Sequence, residues 1–67
     1  MNSYLIQLRG QVDVNDLNLL SPHQMGVVHM EAAATWVRIC TDQSGVIGIL
    51  RHLHNLGLTL RSVLQEE

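Results

Sequence analysis

The chain has 67 residues, a formal net charge of −2 and one cysteine, so we expect a single small domain (residues 1–67) without an internal disulfide. Apolar residues make up 46% of the sequence and charged residues only 15%, against about 25% charged in a typical globular domain. The negative net charge argues against a nucleic-acid partner, because such partners select a basic surface. With so few charges to cover its surface, the domain is expected to bury apolar area against another copy or another protein.

The N-terminal residues MNSYLIQLRGQ lack the basic start, apolar segment and cleavage site of a signal peptide. No apolar run approaches the roughly 18 residues that a bilayer span needs, so no membrane association is expected. The lone Cys40 is typical of a reducing compartment. We therefore expect a cytoplasmic protein.

Residues 4–12 alternate between two faces, which is the period-2 pattern of a strand with one buried face. One set of side chains comprises Tyr4, Ile6, Leu8 and Val12, and the other comprises Leu5, Gln7, Arg9 and Gln11. Residues 13–21 predict one or two helical turns that end before Pro22, with Asp13 as N-cap. The apolar positions of these turns are Val14, Leu17 and Leu20.

Residues 24–41 permit two interpretations. The β-branched segments QMGVVHME and TWVRICT predict a hairpin, in which Thr35, Val37, Ile39 and Thr41 oppose Trp36, Arg38 and Cys40. The intervening EAAA has no turn residue and favours helix, so a continuous helix from Met25 to Arg38 is the alternative. We prefer the hairpin because β-branched residues dominate both flanks.

Residues 41–63, TDQSGVIGILRHLHNLGLTLRSV, predict a helix followed by a strand. Thr41 or Asp42 is a good N-cap, and Gly57 supplies a left-handed stop. The apolar stripe of the helix comprises Val46, Ile49, Leu50 and Leu53, widened by Ile47 and Leu56. In the final strand, Leu58, Leu60 and Leu64 alternate with Thr59, Arg61 and Val63.

The predicted order is strand, short helical turn, strand, strand, helix, strand. A strand–helix–strand crossover places its two strands parallel, and one substantial helix covers only one face of a four-stranded sheet. The predicted fold class is α+β: a reduced ferredoxin-like α/β plait with one main helix and an open sheet face.

The segment from residue 41 to residue 63 resembles the D-x-x-G…L…G-h-x-h-x-S-h pattern (h apolar) of ACT domains, which are small regulatory modules with a ferredoxin-like fold. The resemblance implies a role for the loop before the helix in ligand contacts at subunit interfaces. On the sequence given, we expect the chain to differ from ACT modules in lacking a full first helix and in standing alone rather than being attached to an enzyme.

The whole chain is more similar to a group of short uncharacterised bacterial proteins. Their pattern opens Y-x-I-x-V-R-G-x-L-D and ends D-Q-A-A-L-x-G-x-L-x-x-L-x-x-L-G-L-x-L-x-S-V. The matching residues are Tyr4, Arg9, Gly10, Asp13, Asp42, Gln43, Gly48, Leu50, Leu53, Leu56, Gly57, Leu58, Leu60, Ser62 and Val63. This resemblance supports the fold and implies no activity.

Strand phase predicts the side chains of the open sheet face. They are Leu5, Gln7, Arg9, Trp36, Arg38, Cys40, Thr59, Arg61 and Val63. Three of the four arginines and the only tryptophan would then share one surface. It is interpreted as a solvated face, as an interface rich in Trp and Arg, or as a site for an anionic ligand or single-stranded nucleic acid. We favour the interface, with Gln7, Arg9, Trp36, Arg38 and Arg61 as its candidate residues.

A second candidate site is the helix N-terminus at Asp42, Gln43 and Ser44, where free N–H groups favour anions. Asp42 is better placed to cap those donors itself. His52 and His54 lie roughly 200° apart on a helix and cannot share a metal ion. His23 and His29 have no cysteine at zinc-site spacing, and Cys40 has no assigned base beside it. No catalytic residue, metal or cofactor is therefore expected.

Three functions follow. The first is a non-catalytic interaction or ligand-binding regulatory module that acts as a homo-oligomer, a dimer being favoured, with a protein partner or a small anionic ligand. The second is a small dimeric α/β-plait enzyme with a pocket between sheet and helix that holds His29 or Cys40. The third is anion or nucleic-acid binding through the Arg/Trp face.

Overall fold

The computed structural model of the chain describes residues 2–13, 15, 18 and 25–66. These residues form four strands and one helix in the order β-β-β-α-β. The elements are β1 (Asn2–Arg9), β2 (Gly26–Met30), β3 (Ala34–Thr41), α1 (Gln43–Asn55) and β4 (Leu60–Glu66). The fold is a small α+β ferredoxin-like sheet with one helix, as the periodicity of the sequence predicted.

The four strands lie in the order β2-β3-β1-β4, and every neighbouring pair is antiparallel. Because β3 and β4 are both antiparallel to β1, they run in the same direction on either side of it. The parallel orientation predicted for the strands that flank the helix is therefore confirmed, although β1 lies between them.

The ambiguous region around residues 25–40 is a hairpin, and the alternative of a continuous helix is wrong. The N–H of Glu31 donates to the carbonyl of Ala34 at 2.9 Å and closes the connection between β2 and β3. Thr35, Val37 and Ile39 are each almost fully buried. Burial of these β-branched side chains outweighs the helix propensity of the alanines in the turn.

Most of the short helix predicted for residues 13–21 lies outside the described residues, including Val14, Leu17 and Leu20. Where the chain is described, the Asn15 N–H donates to the Asp13 Oδ1 at 2.9 Å, a local contact between residues two positions apart. The Asn18 side chain donates to the Met25 carbonyl at 3.0 Å and accepts the Met25 N–H at 2.8 Å. This pair of bonds ties Asn18 to the residue that precedes β2.

The core forms between α1 and the sheet face beneath it. Val46, Ile49 and Leu53 are the buried residues of α1. The core cluster also includes Tyr4, Ile6, Leu8, Val12, Met25, Val37 and Ile39. The predicted widening of the helix stripe is wrong, since Ile47 and Leu56 are 48% and 45% exposed.

Both ends of α1 follow the predicted signals. Asp42 is the N-cap, and its Oδ1 accepts the N–H of Gly45 at 2.7 Å. Gly57 has a φ of +83°, the left-handed conformation that reverses the chain beyond the C-cap Leu56. The helix therefore begins and ends where local chemistry dictates.

A β-bulge in β4 contradicts the phase predicted for its second half. Leu8 pairs with Leu60 but Gln7 pairs with Ser62, so Arg61 is an extra residue without a partner on β1. Beyond this bulge Val63 pairs with the buried Ile6, which places it on the helix side. Leu64 consequently lies on the opposite side, although the uninterrupted alternation predicted the reverse.

Two glycine substitutions test the helix and its stop. A Cβ added to Gly48 or Gly57 meets no heavy atom within 4 Å, so the two changes differ mainly in backbone conformation. We expect Gly48→Ala to raise the free energy of unfolding by about 0.5–1 kcal/mol, because glycine is costly inside a helix. Gly57→Ala should lower it by about 1–2 kcal/mol, because an L-residue is strained at positive φ. Urea denaturation at equal protein concentration measures both, and effects of the same sign would contradict the assigned helix end.

Candidate functional site

The sheet face turned away from α1 is the candidate site. Cross-strand partners share a face, and Leu5 pairs with Arg38 on β3 and with Leu64 on β4. We call this surface the open face; its members are Ser3, Leu5, Gln7, Arg9, His29, Trp36, Arg38, Cys40, Ser62, Leu64 and Glu66. Within the described ranges α1 packs on the opposite face of the sheet, so no described helix covers the open face.

The structure places four of the five candidate interface residues together. Gln7 pairs with Trp36, while Arg9 and Arg38 lie on the same side of β1 and β3. Arg61 differs, because it is the extra residue of the bulge and has no partner on β1. It is exposed at the sheet edge formed by β4.

An ion pair between β3 and β4 crosses the open face and was missed by sequence reasoning. Arg38 donates from Nε to Glu66 Oε1 at 2.7 Å and from Nη2 to Oε2 at 3.0 Å. Ser3 Oγ donates to the same Oε1 at 3.1 Å. Glu66, the last residue of β4, is therefore held by both Arg38 and Ser3. No local sequence pattern predicts this ion pair, because the pair depends on β1 lying between β3 and β4.

The ion pair changes what Arg38 can do. The hydrogen bond from Arg38 holds the pKa of Glu66 below its usual range, aided by the bond from Ser3. The same contact raises the pKa of Arg38. Two of the five N–H donors of Arg38 already engage a carboxylate that neutralises its charge, so a separate anion would have to compete with Glu66 for this guanidinium.

A second polar pair on the open face is also internal. Ser62 Oγ donates to Gln7 Oε1 at 3.1 Å across the β1–β4 ladder. Between the two polar pairs lies the apolar row formed by Leu5 and Leu64. Leu64 is 60% exposed, more than any other large apolar side chain among the described residues.

Trp36 forms the aromatic part of the open face. It is half-buried, and its ring centroid lies 5.2 Å from that of His29 with a tilt of 52°. His29 Nε2 also lies 3.7 Å from the Glu31 carboxylate. The tryptophan therefore contacts β2 through His29 and remains partly exposed.

The helix N-terminus offers less for a ligand. Asp42 accepts the Gly45 N–H itself, and its exposed carboxylate stands where an anion would bind. Gln43 and Ser44 begin α1 with exposed side chains. Capping accounts for the contact that Asp42 makes at this end of the helix.

The remaining titratable side chains form no cluster among the described residues. No group of three or more His, Cys, Asp or Glu side chains that could hold a metal ion occurs there. His52 and His54 both lie on α1, and His23 is outside the described residues. Cys40 is a free, exposed thiol on the open face.

Two surface grooves bear on the enzyme hypothesis. One, of about 590 Å³, lies beside β2 and is lined by Val12, Met25, Val27 and Met30 with a polar rim. The other lies at the end of α1 around Gly57 and Thr59. Neither groove includes His29 or Cys40, the two side chains that the enzyme hypothesis placed in a pocket.

A pH titration tests the ion pair. The pKa of Glu66 is lower in the folded state than the usual value of about 4.3, so the pair stabilises the fold above that value. This stabilisation is lost as the pH falls through the folded-state pKa. We expect the difference in unfolding free energy between wild type and Glu66→Gln to be constant near neutrality and to shrink below about pH 4. Low-salt denaturation measures it, and the Arg38→Gln background should remove most of the pH dependence. A difference that is flat with pH would show that the pair does not form in solution.

The comparisons with known proteins leave the family open. A scan against protein-family models gave no match, and a search among curated proteins also gave none. No helix within the described ranges combines the length and apolar character that crossing a membrane requires. The functional assignment therefore depends on the chemistry of the open face.

Proposed function

We propose that this protein is a non-catalytic interaction module whose working form is a homodimer, with two copies meeting through their open faces. The observation that carries the proposal is the group of apolar and aromatic side chains, Leu5, Leu64 and Trp36, that remain at least partly exposed on a sheet whose other face is packed. Tryptophan at the centre of a surface is typical of interface hot spots. A homodimer also supplies the extra burial that a small domain needs.

The polar groups of the open face are compatible with burial. Arg38 is paired with Glu66, and Gln7 accepts from Ser62, so covering them does not leave the bonded groups without partners. An unpaired charge buried in an interface would instead be costly. The internal pairs thus allow a face of mixed composition to be desolvated.

Charge favours a second copy as the occupant of the open face. In a two-fold interface each patch meets itself, so unpaired charges of one sign tend to approach one another. The Arg38–Glu66 pair is neutral within each protomer and avoids this repulsion. Arg9 lies at the end of β1, away from Leu64 and Glu66 in register.

The size of the surface is compatible with a dimer. A standard interface buries about 800 Å² per partner. The exposed area of the chain is 4359 Å², and the sheet lies in a molecule with extents of 30 × 25 × 17 Å. The broadest side has an outline slightly below this value, so the dimer interface would have to cover nearly all of it.

The other functions have weaker support. Anion or nucleic-acid binding has weaker support because Arg38 is already paired with Glu66 and because the net charge of the chain is −2. The enzyme hypothesis has no described groove that contains His29 or Cys40. A regulatory role of the ACT type is retained within the proposal as a ligand-dependent use of the dimer. We place the protein in the cytoplasm, where Cys40 would stay reduced.

Substitution of Trp36 by glutamate tests the dimer. Wild type should scatter light as twice 7.5 kDa and Trp36→Glu as a single chain, because the new charge cannot be buried without a partner. Leu64→Glu should act in the same way. Ile47→Glu is the control matched to Leu64→Glu, because it replaces an aliphatic side chain of the same size at an exposed position of α1. This variant should stay dimeric.

Cysteine crosslinking gives an independent readout. Cys40 is the only cysteine, so any bismaleimide-linked product joins two chains. We expect crosslinked dimer from wild type and from Ile47→Glu, but not from Trp36→Glu. A monomeric wild type at high concentration, or an unchanged mass for both Trp36→Glu and Leu64→Glu, would overturn the proposal.

A further inference from the structure

We propose that the outer edge of β2 is a second binding site, which takes an extended segment of another protein as an added antiparallel strand. β2 lies at the end of the sheet, and β3 is its partner among the described strands. All five of its residues are exposed. An edge strand presents alternate N–H and C=O groups outward, and a further strand is the ligand that satisfies them.

The composition of β2 places no permanently charged side chain on this edge. Edge strands usually carry charged side chains that oppose pairing with another chain. β4, at the other edge, carries Arg61 and Glu66, whereas the β2 sequence GVVHM has no permanently charged residue. Val27, Val28 and Met30 are instead 48%, 45% and 41% exposed. The two edges of the same sheet therefore differ in their chemistry.

A groove beside β2 supplies a place for side chains of the added strand. It is lined by Val12 and Met25, both buried, and by Val27 and Met30 from the strand itself. Alternate side chains of an added strand point to the same side of the sheet. One set would enter this apolar groove, while the other would lie near His29 on the open-face side.

The bulge in β2 makes side-chain contacts in the groove important for binding an added strand. Val27 pairs with Val37 and His29 pairs with Trp36, so Val28 is an extra residue that interrupts the regular ladder. Bulges shorten the run over which a further strand can pair. Side-chain contacts in the groove must then contribute alongside the backbone bonds, which gives the site selectivity.

Charge indicates the kind of segment that fits. Asp13 lines the groove, and Glu31 directly follows β2. Both side chains are exposed acids. The chemistry thus matches an extended segment with apolar residues at alternate positions and a lysine or arginine near one end. Because an added strand lies in the plane of the sheet, this site is separate from the open face.

A random peptide library displayed on phage and selected against the full chain tests the site. We expect enrichment of alternating apolar sequences with a basic residue, relative to selection on an unrelated protein. An enriched peptide, synthesised with a fluorescent label, should bind the Val28→Lys variant about tenfold more weakly or worse, since a charged edge side chain opposes strand addition. Val63→Lys, at a valine of similar exposure on β4, is the matched control and should bind as wild type does.

The backbone nature of the contact has its own readout. N-methylation of alternate peptide amides in the phase that faces β2 should abolish binding, whereas methylation in the other phase should not. Bound peptide should slow amide hydrogen exchange in β2. The Trp36→Glu variant should still bind peptide, so a failure of the homodimer proposal and a failure of this one are distinguishable.

Three results would overturn the inference. The first is a selection without enrichment over the unrelated protein. The second is an enriched peptide that binds Val28→Lys as well as wild type or is insensitive to N-methylation in both phases. The third is slow amide exchange in β2 of the free protein together with a halved mass for Val28→Lys, which would show that a second copy occupies this edge.

Discussion

The position of β1 between two antiparallel neighbours is the constraint on which the rest of the structure depends. Its residues bond to β3 on one side and to β4 on the other, so its alternation determines both faces of the sheet at once. Tyr4, Ile6 and Leu8 are buried under α1. The same pleat places Leu5 and Gln7 on the opposite side, where α1 does not reach. A chain with one described helix therefore leaves a mixed face exposed.

Local periodicity was sufficient for most of this arrangement. The alternation in β1 and β3 and the capping signals at Asp42 and Gly57 are short-range properties, and each appears in the structure as predicted. The hairpin around residues 25–40 was harder to predict from the sequence, because EAAA contains no turn residue. There the burial of Val37 and Ile39 outweighs local propensity, and this burial exists only once the sheet has formed.

The candidate site was predicted less well because its details depend on register. No sequence pattern predicts the β-bulge at Arg61. This one extra residue nevertheless places Val63 on the helix side of the sheet and Leu64 on the open face, the reverse of the predicted phase. The ion pair of Arg38 with Glu66 spans 28 residues and requires β1 to separate its two strands. Strand order is a tertiary property, so neither periodicity nor spacing could show that this arginine is already engaged.

The two binding surfaces that we propose, the open face and the β2 edge, present different groups to a partner. On the open face Arg38 is bonded to Glu66 and Ser62 to Gln7, so in the proposed dimer the apolar side chains would provide most of the contact. At the β2 edge the backbone would provide it, and side chains in the neighbouring groove would add selectivity. The proposed dimer stacks a partner over the sheet, whereas the proposed added strand extends the sheet in its plane. The contact of Trp36 with His29 lies where these two surfaces meet. Since the directions of approach differ, the homodimer and the added strand that we propose are geometrically compatible with each other.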